Sequence, residues 1–353
     1  MNIGHSISLD KMSDIRVGNI VAEQGTKKFG YVDVMQLPER PATTIRIPVT
    51  IVNGCNDGPV LCLTAGTHGC EYAGIMAVVR VCKQIRPEEL KGAIIGVPVV
   101  NMPGFMNRTQ YVNPLDKWNI SHFDTPKGSI SEIILTTLTE EIITKANYYV
   151  DCHGGDLQER AYETQATSVT YFKKVGKADI DTKSEAMSRV YDVGHIVQAP
   201  KGWADRLAEL AKKGIPSIVG EIGGLGIFEA TDIDRHIGGI TNILKYLRMI
   251  RGDPIITIKQ MFADGQFYVK ANRSGLYCPK VRPGDLMSKG QIVATVENLR
   301  GEVLEEVTAP QDGMARIMYT YGLVDDGDVL MLCLTKPRTA GPFPETDRFY
   351  KEI

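Results

Sequence analysis

The sequence predicts a mixed α/β fold, a largely parallel sheet flanked by helices, followed by a small all-β, barrel-like unit. Three observations lead there. Short apolar, β-rich runs alternate with segments of helical spacing through the first part of the chain, the signature of strands and helices taken in turn. The alternation stops at Arg251-Gly252-Asp253-Pro254. Beyond it, strand-like pieces are separated by tight-turn sequences such as Arg282 to Asp285, Ser288-Lys289-Gly290 and Gln311-Asp312-Gly313.

Residues 1–45 are expected to supply lead-in strands to a domain spanning residues 1–252. Val60 to Ala65, Ala93 to Val99, Asn147 to Asp151 and Ile215 to Val219 read as its inner strands. Helical spacing occupies Glu71 to Gln84, Ser129 to Lys145, Trp203 to Lys213 and Asp232 to Met249, with Ser129 and Ser131 as N-cap candidates and Gly214 as a C-cap. Residues 253–335 form the β unit, and residues 336–353, rich in proline, charge and aromatics, form a tail with no assignable structure.

Composition narrows the function. With 353 residues, 43% hydrophobic and 23% charged, the chain is ordinary globular material. Its 40 basic and 42 acidic residues are interspersed, so no basic stripe points to nucleic acid or an anionic membrane. No apolar run reaches the roughly 18 residues of a membrane span, and the start, Met1 to Asp14, does not read as a signal peptide. Seven scattered cysteines without a CxxC pair fit reduced thiols, hence a cytoplasmic location. A small molecule is the expected partner, and homo-oligomerisation is left open.

Three polar clusters follow predicted strands: Gly66 to Glu71, Asp151 to Asp156 and Gly220 to Gly224. In open α/β sheets the carboxyl edge is where ligands bind, so the clusters should meet in one crevice. His68 and Glu71 stand three positions apart across a strand-to-helix turn, and His153 can join them from the neighbouring loop. Two imidazoles and one carboxylate leave a fourth position open, as in catalytic zinc sites that bring the pKa of water toward about 7. One zinc ion per chain is therefore expected. Asp151 or Asp156 can orient a ligating imidazole through its other ring nitrogen. A His and a Glu at this spacing also recur as cap or surface pairs. What favours the metal is that His153 and Glu221 share the same strand-end, glycine-flanked setting. Glu221 is then placed to move a proton to or from an activated water.

At these residues the chain resembles the succinylglutamate desuccinylase and aspartoacylase family, a branch of the zinc carboxypeptidase-like fold. The resemblance rests on Ile47 to Gly54, Gly58 to Gly74, Asn101 to Phe105, Tyr149 to Gly155 and Gly214 to Gly224, in that order. It implies zinc on His68, Glu71 and His153, a catalytic role for Glu221, and hydrolysis of a small N-acyl amine or N-acyl amino acid. The β unit resembles the biotinyl and lipoyl carrier barrel, but its corresponding turn, Val296 to Gly301, has no lysine. A structural or gating role is expected instead of a swinging arm.

The resemblance also implies an arginine that polarises the scissile carbonyl. Arg108, in the Asn107 to Gln110 segment, is the candidate, and Gln110 stands where some relatives place that arginine. The family's Asn-Arg clamp for a substrate carboxylate is replaced by Ser121 and His122, which cannot present the same planar fork. Asn107, Gln110, Ser121 and His122 are thus the substrate-binding candidates. A carboxypeptidase, or a catalytically silent ligand-binding relative, are the competing readings.

Overall fold

The computed structural model describes residues 14–37, 40–111, 127–161, 168–256 and 259–341. The chain opens with the hairpin β1 (Ile15–Val17) and β2 (Ile20–Ala22), then two long antiparallel strands, β3 (Lys27–Leu37) and β4 (Arg40–Asn53). There follow β5 (Asn56–Ala65), α1 (Tyr72–Gln84), β6 (Lys91–Val97), α2 (Met102–Asn107), α3 (Ile130–Thr137), β7 (Tyr148–His153), β8 (Glu159–Ala161) and β9 (Val169–Phe172). The first part closes with α4 (Ala178–Val190), β10 (His195–Gln198), α5 (Asp205–Lys212), β11 (Ser217–Glu221) and α6 (Ala230–Tyr246).

Strands β6, β5, β7 and β11 run parallel at the centre of a ten-stranded sheet, whose outer members on one side are β4 and β3. On the other side β9 pairs antiparallel with β11 and continues into β10. The central strands are apolar on both faces because helices cover both. Leu61 and Leu63 enter the core beneath α1 and α6, while Cys62 between them enters the opposite core with Ile95, Val97 and Tyr149.

Local chemistry sets the helix ends. Ser129 Oγ accepts the Glu132 amide at 3.1 Å and caps α3. After α5, Gly214 (φ 86°) takes the left-handed conformation, and the Ile215 and Gly214 amides return to the carbonyls of Leu210 and Ala211. The helix expected over Ser129 to Lys145 loosens after Thr137 into a wide π turn (Leu138–Ile142) and a 3-10 turn (Ile143–Lys145). The segment β9-α4-β10 was not read from the sequence. Helix α4 buries Asp181, Ser184, Ser188 and Arg189 along with its apolar residues, which erases the amphipathic pattern.

The rest of the chain comprises β12 (Met261–Ala263), β13 (Gln266–Lys270), β14 (Gly275–Pro279), β15 (Leu286–Met287), β16 (Ile292–Glu297), β17 (Val303–Thr308), β18 (Gly313–Tyr319), β19 (Leu323–Val324), β20 (Val329–Thr335) and β21 (Arg338–Thr339). Strands β12 and β21 extend the large sheet beyond β10. Between them the chain builds two antiparallel sheets, one ordered β13-β20-β18-β15 and the other β17-β16-β14-β19, around a core that includes Val269, Val293, Val296 and Leu330. Further contacts join the two parts. Strand β8 pairs antiparallel with β18, and Met314 and Leu334 share an apolar cluster with Val169, Tyr171 and Val197.

Two adjacent glycines in α6 give opposite expectations. A Cβ at Gly238 meets nothing within 4 Å, whereas one at Gly239 falls 2.7 Å from the buried Tyr191 ring. Gly238→Ala should raise stability by up to about 1 kcal/mol through helix propensity. Gly239→Ala should lower it by about 1–3 kcal/mol through overpacking. Thermal unfolding followed by circular dichroism checks both signs; equal shifts in the same direction would contradict the packing described.

Candidate active site

The carboxyl ends of β5, β7 and β11 lie side by side, and the turn after each carries a functional cluster. From β5 the chain enters a turn at Gly66 (φ 60°) and runs through His68 to Glu71 at the start of α1. A Cβ on Gly69 would lie 2.1 Å from the Phe105 amide nitrogen, so only glycine lets this turn rest on α2. Helix α2 is itself held in place by Asn101, whose side chain accepts the Gly104 amide at 2.8 Å and donates to the Gln110 carbonyl at 3.1 Å. The Asn101 to Phe105 motif therefore buttresses His68.

His68, Glu71 and His153 are buried, and each presents a ligand atom within 4.8 Å of the other two. Glu71 lies between the imidazoles: Oε1 is 2.6 Å from His68 Nδ1, and Oε2 is 3.0 Å from His153 Nδ1. That second oxygen is fully buried yet has no aligned hydrogen bond. Ligands sharing one tetrahedral cation have bonds of about 2.0–2.2 Å and hence donor atoms about 3.3 Å apart. The trio fits a divalent ion by donor type, spacing and the unsatisfied carboxylate oxygen.

Without a cation the three groups satisfy one another as charges. Burial disfavours a proton on His68, but Glu71 and Asp156 outweigh it and push the pKa up to about 10. His153 is raised for the same reasons, by Glu71 and Asp151 against burial. Burial would raise Glu71, yet the two imidazoles hold it at about 2. A cation binding here must displace protons from the imidazoles.

Behind His153, its Nε2 meets Asp151 Oδ2 at 3.1 Å. Asp151 is fixed in turn by the Thr64 hydroxyl at 2.6 Å and by Arg206 Nη1 of α5 at 3.5 Å. A carboxylate in this place locks the ring's tautomer and direction. The His153 carbonyl faces His236 Nε2 of α6 at 3.0 Å, and His236 Nδ1 faces the Tyr191 hydroxyl at 2.8 Å. Burial lowers the His236 pKa to about 4, so this imidazole is neutral. On the other flank Asp156 Oδ1 lies 3.8 Å from His68 Nδ1 and accepts the Cys70 thiol at 3.2 Å. Burial pushes Asp156 up to about 6 against the pull of His68.

Glu221 ends β11 as the direct register partner of His153 at the end of β7, so the two side chains stand side by side on the sheet. Its carboxyl is raised by burial, with Arg316 opposing. Arg316 Nη2 lies 3.5 Å from Glu221 Oε2 and comes from β18, in the C-terminal β unit.

Of the residues singled out in the sequence, His68, Glu71, His153, Asp151, Asp156 and Glu221 are gathered here. Arg108 is exposed at the end of α2 with φ 56°, and Asn107 is exposed with its side chain bonded to the Pro103 carbonyl. No described hydrogen bond or ion pair joins Arg108, Asn107 or the half-buried Gln110 to the cluster. Ser121 and His122 lie outside the described residues. Sequence reasoning missed Arg316, Arg206 and His236. Two had a visible signal: Arg316 is the lone charge in the run Gly313 to Tyr319, and His236 occupies a core position between Ile233 and Ile240.

Residues 57–247 match the model of the succinylglutamate desuccinylase/aspartoacylase catalytic domain. The chain is 25% identical over 296 residues to the N-alpha-acetyl-L-2,4-diaminobutyric acid deacetylase of Halomonas elongata, covering 81% of this chain and 84% of that protein. It superimposes on a succinylglutamate desuccinylase/aspartoacylase from Rhodobacter sphaeroides with a TM-score of 0.76 and 25% identity, over 88% of this chain and 96% of the other. The product-bound ectoine utilization protein EutE of Ruegeria pomeroyi shares the fold, with a TM-score of 0.77 and 20% identity over 88% of this chain and 95% of that one. With most of the catalytic part matched, and with the His68, Glu71 and His153 group buried at its sheet edge, the chain belongs to the succinylglutamate desuccinylase/aspartoacylase family, whose members hydrolyse amides as deacylases.

Proposed function

We propose that this protein is a zinc-dependent deacylase that hydrolyses the linear amide of a small N-acyl amino acid, with an N-acetylated diamino acid as the favoured substrate. The observation that carries the reading is the placement of Glu221 beside His153, next to a buried His-Glu-His group with an unsatisfied carboxylate oxygen. The substrate choice follows the deacetylase relative and two carboxylates near the cluster, the buried Asp156 and the half-buried Glu159, which suit the free amine of a diamino acid.

Zinc on His68, Glu71 and His153 would supply Lewis acidity toward the amide carbonyl and lower the pKa of a water. Glu221 takes a proton from the water as its oxygen attacks the carbonyl carbon. The C–N bond of the tetrahedral adduct then breaks, and Glu221 returns the proton to the departing amine. Asp151 keeps His153 pointed at the centre throughout. Arg108 is the candidate for stabilising the oxyanion, from the helix that supports the His68 turn. Seven unpaired thiols support a reducing compartment such as the cytoplasm, and among the described residues no helix is long and apolar enough to cross a membrane.

Release of free amine from N-acetyl, N-succinyl and N-formyl amino acids, Nα-acetyl-L-2,4-diaminobutyrate among them, compared with short peptides, tests the assignment. Preference for the acyl amino acids supports it, and preference for peptide C-termini would replace it with a carboxypeptidase. Glu221→Gln should keep its zinc while kcat falls by about 10²–10⁴-fold; wild-type turnover in that variant removes Glu221 from the mechanism. His153→Ala should lose the metal and the activity together.

The raised imidazole pKa values fix a sign for metal binding. Below about 10 His68 carries a proton in the metal-free protein, so zinc uptake releases protons and weakens as pH falls. Calorimetry at one pH in buffers of different ionisation enthalpy should show net proton release; a buffer-independent heat would contradict the site's electrostatics.

A further inference from the structure

Resting on Glu221 as the base, we propose that Arg316 is a positioning residue for it, which makes the C-terminal β unit a component of the active site and not an appendage. Burying a guanidinium is costly, and an ion pair with imperfect geometry seldom repays the cost in stability alone. Arg316 is only 3% exposed, and the pair it makes with Glu221 is 3.5 Å long. Its Nε has no hydrogen-bond partner. A residue kept for packing or stability would not be chosen this way.

Backbone geometry aims the side chain. Along β18 and β20, Ala315 pairs with Cys333 and Ile317 with Leu332, so Arg316 is the extra residue of a bulge. Bulges leave one residue unpaired and redirect its side chain, often next to active sites. The guanidinium is then held from the large sheet: Nη1 donates to the Tyr171 hydroxyl of β9 at 3.1 Å, and Cζ lies 5.6 Å above the Tyr171 ring. The Tyr171 hydroxyl in turn donates a hydrogen bond to Gln266 Oε1 of β13 at 2.7 Å. The residues after Arg316 are joined to the turn that follows His153. Ile317, Met318 and Tyr319 pair with Ala161, Arg160 and Glu159, and the Tyr319 hydroxyl donates to Glu159 Oε1 at 3.0 Å.

The described ion pair reaches Glu221 through Oε2. One-sided contact at this distance orients the carboxylate while leaving its other oxygen to exchange a proton. A tight bidentate fork would engage both oxygens and suppress basicity.

The test uses the full-length, zinc-loaded protein and the N-acetyl amino acid it turns over fastest. Arg316→Ala should lower kcat by about 10²-fold, the cost of a misplaced catalytic group, with KM and zinc content unchanged. Added guanidinium should restore part of kcat. Arg316→Lys, which keeps the charge but not the planar fork, should fall between wild type and Arg316→Ala and serves if the alanine variant does not fold. In a Glu221→Gln background, Arg316→Ala should cost little more, and guanidinium should restore nothing. Unchanged kcat, a rise in KM alone, or a loss that tracks melting temperature without guanidinium rescue would overturn the proposal. Full activity in Glu221→Gln removes the base assignment itself, whereas an inactive Glu221→Gln with fully active Arg316 variants removes only this inference.

Discussion

One carboxylate between two imidazoles governs the arrangement of the rest. Glu71 lies 2.6 Å from His68 and 3.0 Å from His153, fully out of water, where isolated charges are not tolerated. The three groups must be compensated by one another or by a cation. Everything around them serves to keep them in register: glycine at position 69 for close approach of α2, Asp151 behind His153, and His236 on the His153 carbonyl. A shift in any supporting group changes the donor geometry before it changes the fold.

The sheet solves the problem of bringing distant residues together. Parallel strands β5, β7 and β11 end at one edge, so residues far apart in sequence become neighbours without long loops. The C-terminal β unit adds what the parallel strands cannot. It closes one side of the edge, pairs with the turn after His153, and delivers a guanidinium to Glu221.

Much of this was legible in the sequence, for identifiable reasons. The strand-end clusters combine residue types that bind metal with glycines that permit sharp turns, and such combinations survive translation into structure with little dependence on packing. Arg316 stands out in the sequence as the one charge in an apolar strand run, but its role was not legible because it depends on a strand bulge and on the docking of two separate sheets, which no local pattern encodes. Helix α4 escaped because its buried face carries Asp181, Ser184, Ser188 and Arg189. Asp151 and Asp156 could not be ranked from spacing alone. Coordinates separate them: Asp151 bonds His153 at 3.1 Å, while Asp156 stays 3.8 Å from His68 and takes the Cys70 thiol instead.

The donor set proposed for zinc is His68, Glu71 and His153. X-ray absorption at the zinc edge of the reconstituted protein reads it directly. Two imidazoles and a carboxylate as donors give a nitrogen and oxygen shell at about 2.0–2.1 Å with the outer scattering of two imidazoles. A sulfur contribution at about 2.3 Å, which would implicate Cys70, or scattering from no more than one imidazole, would contradict it.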